Sequence, residues 1–408
     1  MSAAQHPSLA GASRSEPRIP AAARLLLAML SRLAWGRLTV TGPNGFRGEF
    51  GAAAGAAAHI EFRDWAICGE ILAGGDNAFA EGYMQRRWES PDLIALLTVA
   101  AHNQQALAQS FYGSRLRQLV FRLLHACRSN TRRGARRNIE AHYDLGNDFY
   151  QLWLDPTMTY SSALFGGSER LSLADAQREK YRRILHELAL QPGQHVLEIG
   201  CGWGGFAEEA LRDPSVRLTG LSLSPAQTAF ANARLQRAGV GNRAELVLRD
   251  YRDERGTYDA VASIEMFEAV GERYWPAYFS TLQRVLRPGG RAVIQAITIA
   301  EDRFARYRTT SDFIQQYIFP GGMLATRTRI AEEAGRTGLR LLSRHDFGAD
   351  YARTLRLWLK RFDQQEPSVR GQGFDTRFIR MWRFYLAYCA AGFIAGTTDV
   401  GQYTFARA

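Results

Sequence analysis

HVLEIGCGWGGF, His195 to Phe206, is the stretch whose reading decides the fold: an apolar, strand-like run stops at a glycine cluster and passes into helix-forming residues. Gly200 and Gly202 carry no β-carbon, so the chain can bend sharply and a ligand can approach the backbone. Gly204 and Gly205 open the next helix and leave its first N–H groups available. Gly200, Gly202 and Gly205 also satisfy the spacing G-x-G-x-x-G, a weak fingerprint by itself.

Two details argue against a nicotinamide dinucleotide on this turn. Glu198 stands two residues before the first glycine, and a fixed carboxylate suits a ligand of positive charge better than a pyrophosphate. The second strand, RLTGLSLS from Arg217 to Ser224, lacks the acidic residue that would hold a ribose 2′-hydroxyl. S-adenosylmethionine, a sulfonium with an ammonium group and no phosphate, fits the bend from Glu198 through Gly200, Cys201 and Gly202 to Gly204. The competing reading is a loop that only packs a helix on a sheet.

Outward from the turn, strand and helix patterns alternate after about residue 175, the mark of a parallel α/β sheet. Strands are expected at 195–200, 217–223, 244–249, 258–264 and 291–299, with helices opening near Gly205, Pro225 and Glu272. Leu339 to Phe347 and Gln402 to Arg407 supply late strands. The fold class is therefore α/β: a doubly wound, Rossmann-like sheet of seven strands. Ala300 to Arg336 is too long for a plain connection and is dense in aromatics (Phe304, Tyr307, Phe313, Tyr317, Phe319), so it is expected to cap a substrate site.

The chain has 408 residues, 46% of them hydrophobic, which implies two domains with ample core. Residues 1–20 read as a disordered leader, 21–105 as a small α+β domain, 106–140 as a basic helical linker and 141–408 as the α/β domain that carries the glycine turn. Within the small domain, Ala22 to Leu33 is expected as an amphipathic helix, with turns at Gly42 to Gly45 and Gly74 to Asp76. The four cysteines form no CxxC and no metal-ligand spacing, so neither a disulfide scaffold nor a metal site is expected, and a reducing cytoplasm suits them. No run reaches the length of a membrane-spanning helix.

A net charge of +11 calls for an anionic partner. From Leu93 to Ile139 no Asp or Glu occurs, while Arg115, Arg117, Arg122, Arg128, Arg132, Arg133, Arg136 and Arg137 do, with leucines at helical spacing. A solvated interdomain helix and an anionic membrane contact compete for this segment. Nucleic acid is disfavoured because aromatics for base stacking are sparse. The expected location is cytoplasmic, peripheral on the inner face of the membrane, and a homodimer is compatible with the reading.

With the glycine turn, the ordered stretches HYDLGNDFYQLWLDPTMTYSSALF (His142 to Phe165), TGLSLSPAQ (Thr219 to Gln227), RDYRD (Arg249 to Asp253), SIEMFEAVG (Ser263 to Gly271), YIFPGG (Tyr317 to Gly322) and FGADYARTL (Phe347 to Leu355) resemble the cyclopropane-fatty-acid synthases and related lipid methyltransferases. The resemblance covers about 140 to 395, and Gly36 to Trp88 looks like the extra N-terminal domain of longer bacterial members. It implies an S-adenosylmethionine-dependent enzyme acting on a cis double bond in a phospholipid acyl chain. There the alkene is the nucleophile, so no activated Ser or Cys is required. What is required is a dry tunnel and aromatic faces for a cation.

By the same resemblance, Tyr160, Ser161, the Gly200 to Gly204 loop, Ser222, Gln227 and Tyr251 fall where the family holds the cofactor. His142 and Asp144 fall where a lid over it would be ordered. The family also holds a bicarbonate ion as base, with a Glu, a Tyr, a His and the backbone around a Cys. The Glu and Tyr correspond to Glu268 and Tyr351, but the Cys position is Ser162, the His position is Gln295, and Ala269 follows the Glu where His is common. Bicarbonate use and ring closure are thereby put in question, with a methylated unsaturated chain as the other product. Cys389 matches a cysteine once regarded as catalytic, although a small buried hydrophobe is the expected role. Two other functions remain open: a nucleic-acid or small-metabolite methyltransferase, disfavoured because SIEMFEAVG stands where an NPPY-like tetrapeptide would, and a lipid-binding module without catalysis.

Overall fold

A computed structural model describes residues 19–52, 54–104 and 145–408. Nearly all of the expected leader, the expected linker 106–140 with its arginines, and His142 and Asp144 lie outside the described residues. Helix α1 (Ala21–Leu30) forms where an amphipathic helix was expected and buries Ala23, Leu26, Leu27 and Met29. Strands β1 (Arg37–Gly42), β2 (Phe46–Gly51), β3 (Ala57–Phe62) and β4 (Trp88–Glu89) make a four-stranded sheet in the order β2-β1-β3-β4. The expected turn at Gly42 to Gly45 joins β1 to β2, with Asn44 at φ 62°.

The turn expected at Gly74 to Asp76 is instead a kink inside α2 (Ala66–Met84), where Gly75 adopts φ 60°, ψ −141°. Ile67, Ile71, Ala80, Tyr83 and Met84 are buried on both sides of it, so core packing carries the helix through two glycines that would otherwise end it. Helix α3 (Leu93–His102), capped by the Asp92 carboxylate on the Ala95 N–H, follows.

The larger sheet has seven strands: β5 (His195–Ile199), β6 (Arg217–Ser222), β7 (Ala244–Leu248), β8 (Tyr258–Ile264), β9 (Leu286–Ile299), β10 (Leu339–Asp346) and β11 (Thr398–Arg407). Their order is β10-β11-β9-β8-β5-β6-β7, with β11 antiparallel to both neighbours and the other pairs parallel. β9 starts five residues before the expected 291, because Leu286 pairs with Tyr258 across a register shift. The chain runs outward from β5 through β6 to β7 and then returns to β8 on the other side of β5. That reversal opens a crevice at the carboxyl ends of β5 and β8, where open α/β sheets bind ligands.

Helices α4 (Asn147–Trp153), α5 (Leu173–Leu188), α6 (Gly205–Ala210), α7 (Pro225–Arg237) and α8 (Trp275–Val285) precede or connect these strands. The insertion after β9 folds as α9 (Glu301–Tyr307), a π-helical turn at Ile314–Ile318 and α10 (Arg327–Arg336). After β10 come α11 (Gly348–Gln364) and α12 (Thr376–Ile394). One hydrophobic cluster runs from Leu38, Ile60 and Trp88 of the small sheet to Trp358 of α11 and Trp382 and Phe384 of α12. Arg380, 8% exposed, sits 3.8 Å over the Tyr83 ring and donates to Tyr83 O (2.6 Å) and Glu89 Oε2 (2.8 Å), locking the N-terminal unit onto α12. Among the described residues no helix is long and apolar enough to cross a membrane.

Candidate active site

The glycines of the turn do three different things. Gly200, Gly202 and Gly204 all have φ between 50° and 85°, the left-handed region that penalises a side chain. A β-carbon on Gly202 would meet nothing within 4 Å, so that face of the loop lies open; one on Gly204 would press the Ala231 Cβ of α7 at 3.0 Å, and one on Gly200 would press Met266. Gly204 therefore serves helix packing and does not line the cavity that the others border. The Gly200 and Cys201 N–H groups both donate to Leu221 O (3.0 and 2.9 Å), which ties the bend to β6.

A cavity of about 690 Å³ opens over this bend, bordered by Tyr160, Ser161, Glu198, Gly200, Cys201 and Gly202 and, further round, by Ser222, Gln227 and Tyr251. Glu198 is 3% exposed and its Oε2 has no hydrogen-bond partner. Burial holds its pKa well above the usual carboxylate range, against the pull of Lys180 and Arg234. A partnerless buried carboxyl in a cavity wall fits a ligand that brings a cation. The Ser222 hydroxyl lies 3.5 Å from Gln227 Oε1, so a hydroxyl donor and an amide sit together at the end of β6. The Tyr251 ring packs edge-on to Tyr278, 5.6 Å between centroids. The Tyr160 hydroxyl meets that of Tyr385 at 2.7 Å, and Ser161 Oγ accepts from the buried Lys180 Nζ at 2.6 Å. An ammonium, ribose hydroxyls and an adenine each find a matching donor set in this group, so the residues fit S-adenosylmethionine. Cys201 is buried and burial pushes its thiol pKa up, which leaves it a packing residue.

Beside the bend, at the end of β8, the structure departs from expectation. Ser162, Gln295 and Tyr351 do converge, but on Glu265 rather than Glu268. Glu265 Oε1 accepts from Ser162 N (2.8 Å) and Gln295 Nε2 (2.8 Å), and Oε2 accepts from the Tyr351 hydroxyl (2.6 Å). Gln295 is oriented in turn by Gln402, whose Nε2 donates to Gln295 Oε1 at 3.0 Å. Glu265 has φ 48°, an uncommon conformation for a residue with a side chain and one that costs on the order of 1–2 kcal/mol. The strain turns the carboxylate into the nest, and such outliers cluster at functional sites.

The bicarbonate ion implied by the resemblance therefore does not fit: the donors that would hold it are already bonded to a carboxylate of the chain. Burial raises the pKa of Glu265, opposed by the Tyr351 bond, the charge of Lys180, and the Ser162 and Gln295 bonds. Glu268 faces the same cavity with Oε1 accepting from Ile297 N and Oε2 unpartnered. Burial and the neighbouring Glu265 charge push its pKa up to about 8. Of two carboxyls three residues apart, one is bonded as the ionised form and the other is held neutral at pH 7. Cys389 lines the cavity too, and burial and Asp312 push its thiol up, so it is protonated.

Of the five aromatics of the insertion, Tyr307 and Phe319 line the cavity, whereas Phe313 is fully buried core and the Tyr317 hydroxyl bonds Glu81 of α2. More of the aromatic wall comes from α12, through Phe384, Tyr385, Tyr388 and Phe393. That contribution went unread in the sequence, although FYLAYCAAGF shows aromatics at i, i+4. Glu265 was also missed. Its only sequence signal is an acid directly after a buried strand, one residue beyond the expected end at 264.

The fold and this site define a class: the enzyme is an S-adenosylmethionine-dependent methyltransferase with a Rossmann-like sheet. The family model described as mycolic acid cyclopropane synthetase matches residues 130–403, and the chain belongs to that family. It is 43% identical over 353 residues to the tuberculostearic acid methyltransferase UfaA1 of Mycobacterium tuberculosis, covering 84% of this chain and 81% of that one. To the cyclopropane-fatty-acyl-phospholipid synthase of Escherichia coli K12 it is 32% identical over 354 residues, covering 86% and 88%. Among solved structures, the cyclopropane synthase MmaA2 from M. tuberculosis superposes with a TM-score of 0.63 at 31% identity, over 67% of this chain and 98% of that one. The mycolic acid cyclopropane synthase CmaA1, complexed with SAH and CTAB, gives 0.63 at 30%, with the same coverage. The reaction class is thus cyclopropanation or methylation of a lipid.

Proposed function

We propose that the protein transfers a methyl group to the cis double bond of an unsaturated phospholipid acyl chain, with the Glu265 carboxylate as the base that completes the reaction. When bound, S-adenosylmethionine supplies an electrophilic methyl. The alkene π pair forms the new C–CH₃ bond as the S–CH₃ bond breaks onto sulfur, and the neighbouring chain carbon is left positive. Tyr307, Phe319, Phe384 and Tyr388 line the cavity and supply aromatic surface for the positive charge. Glu265 Oε then takes one proton from the chain, and the freed C–H pair becomes a C=C bond. Were the proton taken from the new methyl instead, the pair would close a cyclopropane ring.

The single observation that carries this reading is the Glu265 carboxylate seated on Ser162 N, Gln295 and Tyr351. A raised pKa makes it a stronger base than an ordinary carboxylate, and its tether removes the need for a diffusible ion. The methyl-branched unsaturated product is favoured by Gln295 at the expected His position and by the name of the 43% identical relative, a methyltransferase. Ring closure is the reading favoured by the 32% identical phospholipid synthase. The positive net charge supports peripheral binding to anionic membrane, with the Arg-rich 115–137 segment as the contact.

The test is incubation of the purified protein with methyl-labelled cofactor and vesicles of a cis-unsaturated phospholipid. The expected result is label in the acyl chain, a mass gain of one CH₂, and a product that takes up one equivalent of hydrogen under mild hydrogenation to leave a branch. A product inert to mild hydrogenation identifies the ring. Absence of label from every unsaturated lipid overturns the proposal.

A further inference from the structure

Both donors that hold Glu265 Oε1 trace back to one residue behind the cavity wall, Lys180 of α5. Along the first route, Lys180 Nζ donates to Ser161 Oγ at 2.6 Å, and the next residue supplies the Ser162 N–H that reaches Glu265. Along the second, Gln402 Nε2 of β11 donates both to Lys180 O (3.4 Å) and to Gln295 Oε1 (3.0 Å), and the Gln295 Nε2 donates to Glu265. The third donor, the Tyr351 hydroxyl on Oε2, arrives independently from α11. The same face of α5 straps the loop before the nest. Gln177 Nε2 donates to Ser161 O at 2.9 Å, and the Tyr181 hydroxyl meets Thr159 Oγ1 at 2.8 Å. Positions 177, 180 and 181 share one side of the helix, so α5 fixes Thr159 to Ser162 as one piece. That piece carries Tyr160 and Ser161 at the cofactor site and Ser162 at the base.

A neutral donor would meet those geometric needs. The residue there is instead a lysine, fully buried and off the cavity lining, with one N–H on Ser161 and no partner for the other two among the described residues. A buried amine of this kind is costly unless opposite charge compensates it. The groups that face it are acids from three elements: Glu265 after β8, Asp155 after α4 and Glu198 of β5. Arg234 of α7 faces Glu198 as well. Glu265 is faced by the Tyr351 hydroxyl and by Lys180, and it faces Glu268 in turn. Burial lowers the pKa of Lys180 and raises that of Glu265, while the charge of each opposes the shift of the other, so the two ionise as a pair.

Resting on Glu265 as the base of the proposed reaction, we infer that Lys180 is a positioning residue with two tasks: it holds the cofactor loop and the base nest in one register, and its ammonium keeps the Glu265 carboxylate ionised and ready for the proton of the chain. It acts from behind the wall, through Ser161, Gln402 and its charge. The two tasks call for different atoms. The register needs a donor at Nζ and the backbone carbonyl, whereas the charge needs the ammonium itself, so substitution separates them.

The experiment follows kcat and KM against pH, with methyl-labelled cofactor and vesicles of a cis-unsaturated phospholipid, for the wild type, Lys180→Met and Lys180→Arg. Methionine fills the volume without donor or charge, and arginine keeps both. In Lys180→Met, kcat at pH 7 should fall about tenfold or more, and the acid limb of the kcat profile should move up by about one pH unit, because the cation that favours the carboxylate is gone. The lipid KM should stay within about twofold, since Lys180 does not border the cavity. In Lys180→Arg the limb should stay at the wild-type pH whatever the rate, a readout that repacking alone does not move. Should the Met variant fail to fold, Lys180→Gln, a neutral amide with the same expected displacement of the limb, takes its place. An unchanged kcat in the neutral variant, a limb that stays at the wild-type pH in it, or a limb that moves equally in the Arg variant overturns the inference. Such a failure leaves Glu265→Gln slow, whereas a Glu265→Gln enzyme at full rate, or a wild type that transfers no label, overturns the reading on which the inference rests.

Discussion

Two regions of the cavity wall hold charge in opposite ways. At the inner end, over β5 and β8, Glu198, Glu265 and Glu268 stand in the cavity wall with different partners: Glu265 accepts from three donors, Glu268 accepts from one and keeps an unpartnered oxygen, and Glu198 Oε2 has no partner. Elsewhere the lining carries both signs of charge, Asp76 from the N-terminal unit and Arg303, Arg306 and Asp312 from the insertion. Buried, individually tuned groups suit chemistry on a proton or a methyl, because each charge state is fixed by its own neighbours. Mixed charges suit recognition. The difference teaches that one continuous cavity is divided by electrostatics.

The largest effect that would break this division is at Glu265. Glu265→Gln keeps shape and most bonds but cannot accept a proton, so kcat should fall by about 10²–10⁴, as for loss of a general base. Cofactor affinity, read by calorimetry, should stay within about twofold, since the base does no ground-state binding. A variant that keeps its rate would reassign the inner end.

Next in size is Glu198→Gln, which removes the carboxylate facing the cofactor site. Binding of S-adenosylmethionine should weaken by about 1.5–3 kcal/mol, the range for a hydrogen bond to a charged group. The wild-type pH dependence has a definite sign. The Glu198 pKa is raised in the free protein and a bound cation favours the ionised form, so affinity should increase as pH rises and binding should release a proton.

Tyr351→Phe sharpens the comparison further. The Tyr351 bond lowers the pKa of Glu265, so its loss should move the acid limb of the kcat profile to higher pH, with a rate loss of about tenfold at neutral pH from one missing bond of about 1.5 kcal/mol. A limb that stays in place would separate Tyr351 from the base. The smallest effect is expected at Cys389: its thiol is held protonated, so Cys389→Ala should change kcat by less than about threefold and cost about 1 kcal/mol in denaturant titration.

Much of the fold was legible in the sequence because it is set locally. Each strand from β5 to β8 begins and ends within two residues of its apolar run, and the glycines of 200–205 dictate a bend whatever lies opposite. The catalytic nest was half legible. Ser162, Gln295 and Tyr351 stand on segments nearly 190 residues apart, so a motif could group them but could not say on which carboxyl they close. They close on Glu265, whose φ of 48° no local pattern announces. The kink in α2 was misread as a turn for a related reason: whether two glycines end a helix depends on the packing of Ile71 and Ala80, which no local pattern records. The mixed charges elsewhere in the lining, drawn from three segments, were not legible at all.

The most direct test of the central claim is the rate of methyl transfer in buffer stripped of carbon dioxide and bicarbonate, compared with the same buffer after bicarbonate is restored. With the chain's own carboxylate as base, the wild type should keep its rate within about twofold in both, and Glu265→Gly, which empties the nest, should be nearly inactive until bicarbonate is added. A wild-type rate that collapses on stripping and returns with the ion would contradict the account.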